Sequence, residues 1–250
     1  MSRSPALFIR SLAFNALFYV NLIVHMVVAV PVLVMPHRVH LRFVRSYGRT
    51  SLWLLRVICG TRVEWRGLEK IPQGACIVAC KHQSVWETFA LYAVLDDPAY
   101  ILKRELMWIP VFGWHMRKAR LIPIDRSAGL AALSRMTAKA KKELEHSRQI
   151  VIFPEGTRRL PGAEPSYKPG VANLYAKAGV ACVPVALNSG LFWPRHSLAR
   201  FPGTILVEAL DPIAPGLDTR TFLDRLQNVV EERAARLIAE SENADQGSGT

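Results

Sequence analysis

Apolar positions along the chain change regime twice. Residues 11–37 (SLAFNALFYVNLIVHMVVAVPVLVMPH) contain no Asp, Glu, Lys or Arg. About 20 apolar residues in helical form cross a bilayer core, so this run is long enough to span one. Pro31 is expected to kink it near its end. The run is too long for a secretory h-region and no small-x-small cleavage site follows it, which argues against a signal peptide. Residues 38–59 then set Arg38, Arg42, Arg45, Arg49 and Arg56 among Leu, Val, Phe and Trp at roughly helical intervals. That pattern predicts a basic amphipathic helix able to lie on anionic headgroups. A spanning helix and an interfacial two-helix hairpin both satisfy these residues. Only Arg3 and Arg10 precede the apolar run, an asymmetry that places the following domain on the cytoplasmic side, at the inner membrane in a bacterium.

Beyond residue 59 the pattern becomes short apolar bursts separated by amphipathic stretches. Strands are predicted over 75–80 (ACIVAC), 99–103 (AYILK), 120–124 (RLIPI), 149–153 (QIVIF), 181–187 (ACVPVAL) and 204–210 (TILVEAL). Helices are predicted over 84–95, over 104–116 with a break around Pro110 and Gly113, over 128–146, and over 168–179, where Pro169 stands early and Gly179 last. A terminal helix follows Asp218, a good cap residue. The stretch VEWRGLEKIPQG reads as a polar link. Repeated strand–helix units predict an α/β fold with a largely parallel central sheet flanked by helices, preceded by an N-terminal helical membrane anchor. The expected organisation is residues 1–59 as the membrane-associated segment, 60–240 as the α/β domain and 241–250 as a disordered tail.

Composition narrows the partners. The formal net charge is +12, which favours an anionic partner such as a phospholipid surface, a phosphorylated substrate or an acidic carrier protein. The basic residues are not interleaved with aromatics on a strand platform, so a nucleic-acid role is not expected. Cys59, Cys76, Cys80 and Cys182 form no CxxC; buried reduced thiols are expected, and no metal ligand cluster is apparent. The chain contains no GxxxxGK[ST], GxGxxG or GxSxG, which argues against P-loop, dinucleotide-binding and nucleophile-elbow chemistry.

Two stretches that follow predicted strands carry the chemistry. In HQSVWE, Ser84 to Glu87 fits a capping box, in which Ser84 caps a helix and Glu87 reaches back to the Ser84 amide. His82 meanwhile falls at the carboxyl end of a strand, where ligands gather in parallel sheets. A spacing of five suits neither a helix face nor a strand face, so His82 and Glu87 meet only if the histidine sits in the turn and the glutamate in the first helical turn. Such a pair is a general base and its orienter. No nucleophile accompanies it, so the base would act on a substrate hydroxyl. The second stretch, FPEGTRR at 153–159, has a Pro-Gly turn and two arginines whose forks match phosphate oxygens. A plain solvated turn is its alternative reading.

HQSVWE and FPEGTR resemble two blocks of the 1-acyl-glycerol-3-phosphate (lysophosphatidic acid) acyltransferase family. KRELMWIPVFG with LIPIDR resembles the block between them, and VPVALNSG a fourth. The similarity covers roughly residues 60–210, and four blocks in order are specific where one would be weak. The resemblance implies an α/β enzyme at a membrane surface. Its reaction moves a fatty acyl group from acyl-CoA or acyl-acyl carrier protein to a lysophospholipid hydroxyl, without a covalent intermediate and without a cofactor. It implies His82 as base and Glu87 as orienter. Glu155, Gly156, Thr157 and Arg158 would hold the glycerol phosphate, with Lys103 and Arg126 adding positive charge. Two departures stand out. Glu87 replaces the usual Asp and is one methylene longer; Arg120 replaces a usual glycine and is expected to bear on the headgroup pocket. They keep another acceptor, a lyso-aminolipid or glycerol 3-phosphate, in view. A non-catalytic membrane adaptor is the remaining alternative.

Overall fold

The computed structural model describes residues 4–125 and 129–247. Seven strands form one sheet in the order β1-β7-β6-β2-β5-β3-β4. They are β1 (Thr61–Arg66), β2 (Cys76–Cys80), β3 (Pro98–Lys103), β4 (Ile122–Ile124), β5 (Gln149–Ile152), β6 (Cys182–Leu187) and β7 (Gly203–Ala209). Strands β2 to β6 run parallel; β7 is antiparallel to β6, and β1 follows β7. The sheet is therefore largely parallel, as expected.

Both faces of the sheet are covered, and alternate side chains of the central strands serve opposite cores. On β2, Cys76, Val78 and Cys80 pack into one core and Ile77 and Ala79 into the other. The second core is closed by α5 (Gly129–Glu145), α6 (Pro169–Ala178) and α8 (Thr219–Gly247), through residues such as Met136, Leu174 and Phe222. The first core receives Phe14, Phe18 and Leu41 from an N-terminal helical pair, α1 (Pro5–Val28) and α2 (His37–Leu54), and Leu55 from the turn that follows α2. All four cysteines are buried and unpaired with one another; burial pushes the thiol of Cys59 up to about 11 and that of Cys76 up to about 12.

Helix α1 lies along the α/β body. Near its start, the Ser11 hydroxyl accepts from the Arg200 amide at 2.9 Å and Asn15 Oδ1 from the Arg200 guanidinium at 2.7 Å. Near its end, the Met26 carbonyl accepts from His115 Nε2 at 3.0 Å, His115 belonging to α4 (Phe112–Lys118). That bond makes His115 Nδ1 an acceptor, and it faces His40 Nε2 of α2 at 3.1 Å. Burial, with His115 next in weight, lowers the His40 pKa to about 4. The outer surface of α1 is apolar and open, with Phe8, Ile9, Val20, Ile23 and Val27 exposed.

Three departures from the sequence reading have local causes. Residues 61–66, within and just before the supposed polar link, form edge strand β1: Thr61, Val63 and Trp65 turn inward while Arg62 and Glu64 face solvent. The helix expected over 84–95 shrinks to α3 (Glu87–Ala90) and a 3-10 turn, Leu91–Ala93. The helix expected over 104–116 is broken around Pro110 as expected, into a 3-10 turn, Arg104–Trp108, and α4, because Pro110 cannot donate to a continuous helix. Finally, α8 continues to Gly247, past residue 240 where the folded domain was expected to end; no proline or glycine interrupts it before that. The Asp218 cap is present, its Oδ1 accepting from the amides of Arg220 and Thr221 at 3.0 Å each.

Candidate active site

Two turns at the carboxyl ends of the neighbouring strands β2 and β5 lie against each other. The His82 ring stacks on Phe153, centroids 4.0 Å apart. The Arg159 amide donates to the His82 carbonyl at 2.8 Å. Lys81 Nζ stands 3.5 Å from Glu155. The first and third blocks of the sequence thus share one rim.

His82 sits in the turn after β2, and Glu87 opens α3. The His82 Nδ1 faces Glu87 Oε2 at 3.4 Å, close but short of hydrogen-bond geometry. Glu87 is fully buried. Its carboxylate accepts from the Ser84 amide at 3.1 Å, the Gln83 amide at 3.3 Å and the hydroxyl of Ser189. The bond from Ser84 is the reach-back of a capping box, and Ser84 Oγ accepts in turn from the Trp86 amide at 3.2 Å. The capping and the orienting geometries coexist: one carboxylate closes the turn and faces the imidazole.

His82 borders a cavity of about 580 Å³ between the sheet edge and α5 and α6. Most of its wall is apolar, including Ile101, Ile124, Leu133, Met136 and Ile152. Its polar rim includes Asp125, Gly156, Thr157 and Lys168. Gly156 has φ +65°, left-handed backbone that glycine adopts without strain, and its amide donates to the Phe153 carbonyl at 2.9 Å. A second apolar cavity, about 420 Å³, lies between the helical pair and the body and shares Ile101 and Phe153 with the first.

The expected site residues separate on inspection. His82, Glu155, Gly156 and Thr157 line the same cavity, and Glu87 stands directly behind His82. Arg158 is half-buried on the same loop, its carbonyl held by the Arg195 guanidinium. Glu155 does not offer its carboxylate as an anion ligand; a carboxylate repels phosphate, and this one is turned inward, about 1% exposed, against Lys81. Burial raises its pKa, with Lys81 opposing that rise. Lys81 also donates to Glu231 of α8 at 2.6 and 2.8 Å, so Glu155 belongs to a brace between rim and terminal helix. Lys103 lies outside the cavity wall, over half exposed and 3.8 Å from Glu105. Arg126 lies outside the described residues. Arg120 faces away from the pocket: its backbone has φ +54°, which accounts for a glycine preference there, and its guanidinium reaches Glu143 at 3.0 Å. The expected effect of Arg120 on the headgroup pocket thus has no contact to carry it.

Sequence reasoning missed Lys168, and it placed the 188–190 turn within the fourth block without assigning it a role. Lys168 stands at the rim because its amide donates to the Pro154 carbonyl at 2.8 Å. Gly190 admits close approach: a Cβ there would meet Pro161 at 2.8 Å and Gln83 at 3.0 Å. The available signal was NSG placed directly after a strand.

Comparison with known proteins gives a consistent picture. Residues 62–188 match the family model described as Acyltransferase. The chain is 37% identical over 209 residues to a 1-acyl-sn-glycerol-3-phosphate acyltransferase of Pseudomonas aeruginosa, covering 83% of this chain and 80% of that one. It is 33% identical over 187 residues to the human 1-acyl-sn-glycerol-3-phosphate acyltransferase alpha, covering 72% and 66%. In fold it is similar to the crystal structure of the 1-acyl-sn-glycerophosphate acyltransferase PlsC of Thermotoga maritima. The TM-score is 0.77 at 24% identity, over 92% of this chain and 97% of that one.

Proposed function

The chain belongs to the acyltransferase family, and from that premise we propose that it acylates the free hydroxyl of 1-acyl-glycerol-3-phosphate, giving phosphatidic acid. The observation that carries this reading is the shared rim: the imidazole of His82 and residues 153–157 border one apolar cavity, with Arg158 next on the same loop. With Nδ1 turned to Glu87, the other ring nitrogen takes the proton of the acceptor hydroxyl as its oxygen attacks the thioester carbonyl. The tetrahedral intermediate expels the thiolate, which recovers that proton from the imidazolium. No side chain is acylated and no cofactor takes part. Arg158, Lys168 and the Thr157 amide supply positive charge for the glycerol phosphate; Arg158 matches it by a bidentate fork. The two cavities share the wall residues Ile101 and Phe153 and suit two acyl chains that end up on adjacent glycerol carbons.

The same reading includes a membrane-bound enzyme. Helix α1 is long and apolar enough to cross a membrane, yet both its ends bond to the α/β body. That supports an interfacial hairpin, with Phe8, Val20 and Ile23 in the acyl layer and arginines of α2 at anionic headgroups on the cytoplasmic side. Either acyl-CoA or acyl-acyl carrier protein fits a basic protein as donor. The test is to offer the purified protein, on anionic vesicles, a panel of acceptors with each donor, and to identify products by mass spectrometry. Phosphatidic acid as the fastest product supports the reading; faster acylation of a lyso-aminolipid or of glycerol 3-phosphate, or no transfer at all, overturns it.

A further inference from the structure

The geometry points to Ser189 as a positioning residue, the group that fixes the Glu87 carboxylate, and through it the His82 ring, relative to the sheet. This rests on the base role of His82 given above. Glu87 receives three hydrogen-bond donors among the described residues: the amides of Gln83 and Ser84 and the Ser189 hydroxyl. The two amides belong to the turn that carries His82 and Glu87, so they move with it. Ser189 alone comes from elsewhere, the start of the short helix α7 (Ser189–Phe192) that follows β6. Serine and glutamate are both fully buried, so no water substitutes for this bond.

Ser189 is itself held from several sides. Its neighbour Asn188 accepts from the Leu206 amide of β7 at 2.8 Å and donates to Leu237 and Ser241 of α8 at 3.2 and 2.6 Å. The Gly190 amide donates to Gln83 Oε1 at 3.0 Å, which ties the turn back to the residue beside His82. A glutamate has three rotatable side-chain bonds, and its own turn leaves their combined sweep open. A donor anchored on β6, β7 and α8 removes that freedom. A base misplaced by about 1 Å loses roughly 10²-fold in rate, so a group that acts only on orientation is read in kcat.

The test is a double-mutant cycle on acyl transfer by the full-length protein, with acyl-CoA and 1-acyl-glycerol-3-phosphate. Ser189→Ala is expected to lower kcat about tenfold or more while both KM values stay within about twofold. Glu87→Asp withdraws the carboxylate by one methylene from Ser189, so adding Ser189→Ala to it is expected to cost less than about threefold, a coupling that only an interacting pair shows. Should Ser189→Ala not accumulate as folded protein, Ser189→Cys replaces it in the cycle, since the thiol is a near-isostere and a poor donor. A kcat within about threefold of the parent, a loss confined to KM, or an equal loss in both backgrounds overturns the inference. His82→Ala is run beside them: if it is inactive while Ser189→Ala is fully active, this inference alone falls; if it is active, the base reading falls and takes this inference with it.

Discussion

Glu87 and Glu155 are the same residue type, both buried, each in the turn that follows one of two neighbouring strands, and their surroundings assign them opposite work. Glu87 is surrounded by donors: two amides of its own turn and the Ser189 hydroxyl, with an imidazole on its open side. Glu155 has no hydrogen-bond donor among the described residues and one ammonium at 3.5 Å, an ammonium already bound to Glu231. Burial raises the pKa of Glu155. A carboxylate with satisfied lone pairs can hold a ring in place; one that is only charge-balanced holds two loops together. Position at a strand's end marks a candidate, and the donors around it decide the role.

The comparison can be broken at several points. The largest expected effect is Glu87→Gln, which keeps the shape and removes the charge: kcat should fall by about 10²–10⁴-fold. Glu155→Gln should stay within about tenfold, and steady-state kinetics of the two side by side decides between them. Next is Lys81→Met, which strands Glu155 and Glu231 without their cation. Urea denaturation should show a loss of about 3 kcal/mol, because removing one partner of a buried pair leaves the other uncompensated.

The acid response is smaller and has a definite sign. A carboxyl whose folded pKa is raised binds its proton more readily in the native state, so its contribution to stability grows as pH falls through that pKa. Glu155→Gln, measured against the parent at pH 7.5 and again at pH 5, should therefore gain relative stability at the higher pH and lose it at the lower. The smallest effect belongs to Arg120→Gly, away from both loops. It relieves a left-handed arginine and gives up the pair with Glu143, so stability should move by no more than about 1 kcal/mol. Transfer rate should stay within about twofold; a larger change would return Arg120 to the substrate pocket.

Much of this was legible beforehand because it rests on short-range rules. The apolar bursts at 75–80, 149–153 and 181–187 marked strands buried on both faces, and the offset of five between His82 and Glu87 required the turn geometry that β2 and α3 supply. The inward turn of Glu155 was not legible, because its partner Lys81, and the Glu231 that holds Lys81, are far from it in sequence. Ser189 was hidden for the same reason: its bond to Glu87 joins positions 102 residues apart. Strand β1 is a different case. Its period-two alternation was present in TRVEWR, and charged residues on the solvent face masked it.

The proposed transfer turns on one imidazole. His82→Ala, shown by denaturation and vesicle flotation to fold and bind membrane as the parent does, should transfer acyl groups 10²–10⁴-fold more slowly. A rate within about tenfold of the parent would mean that the ring stacked on Phe153 is not the base.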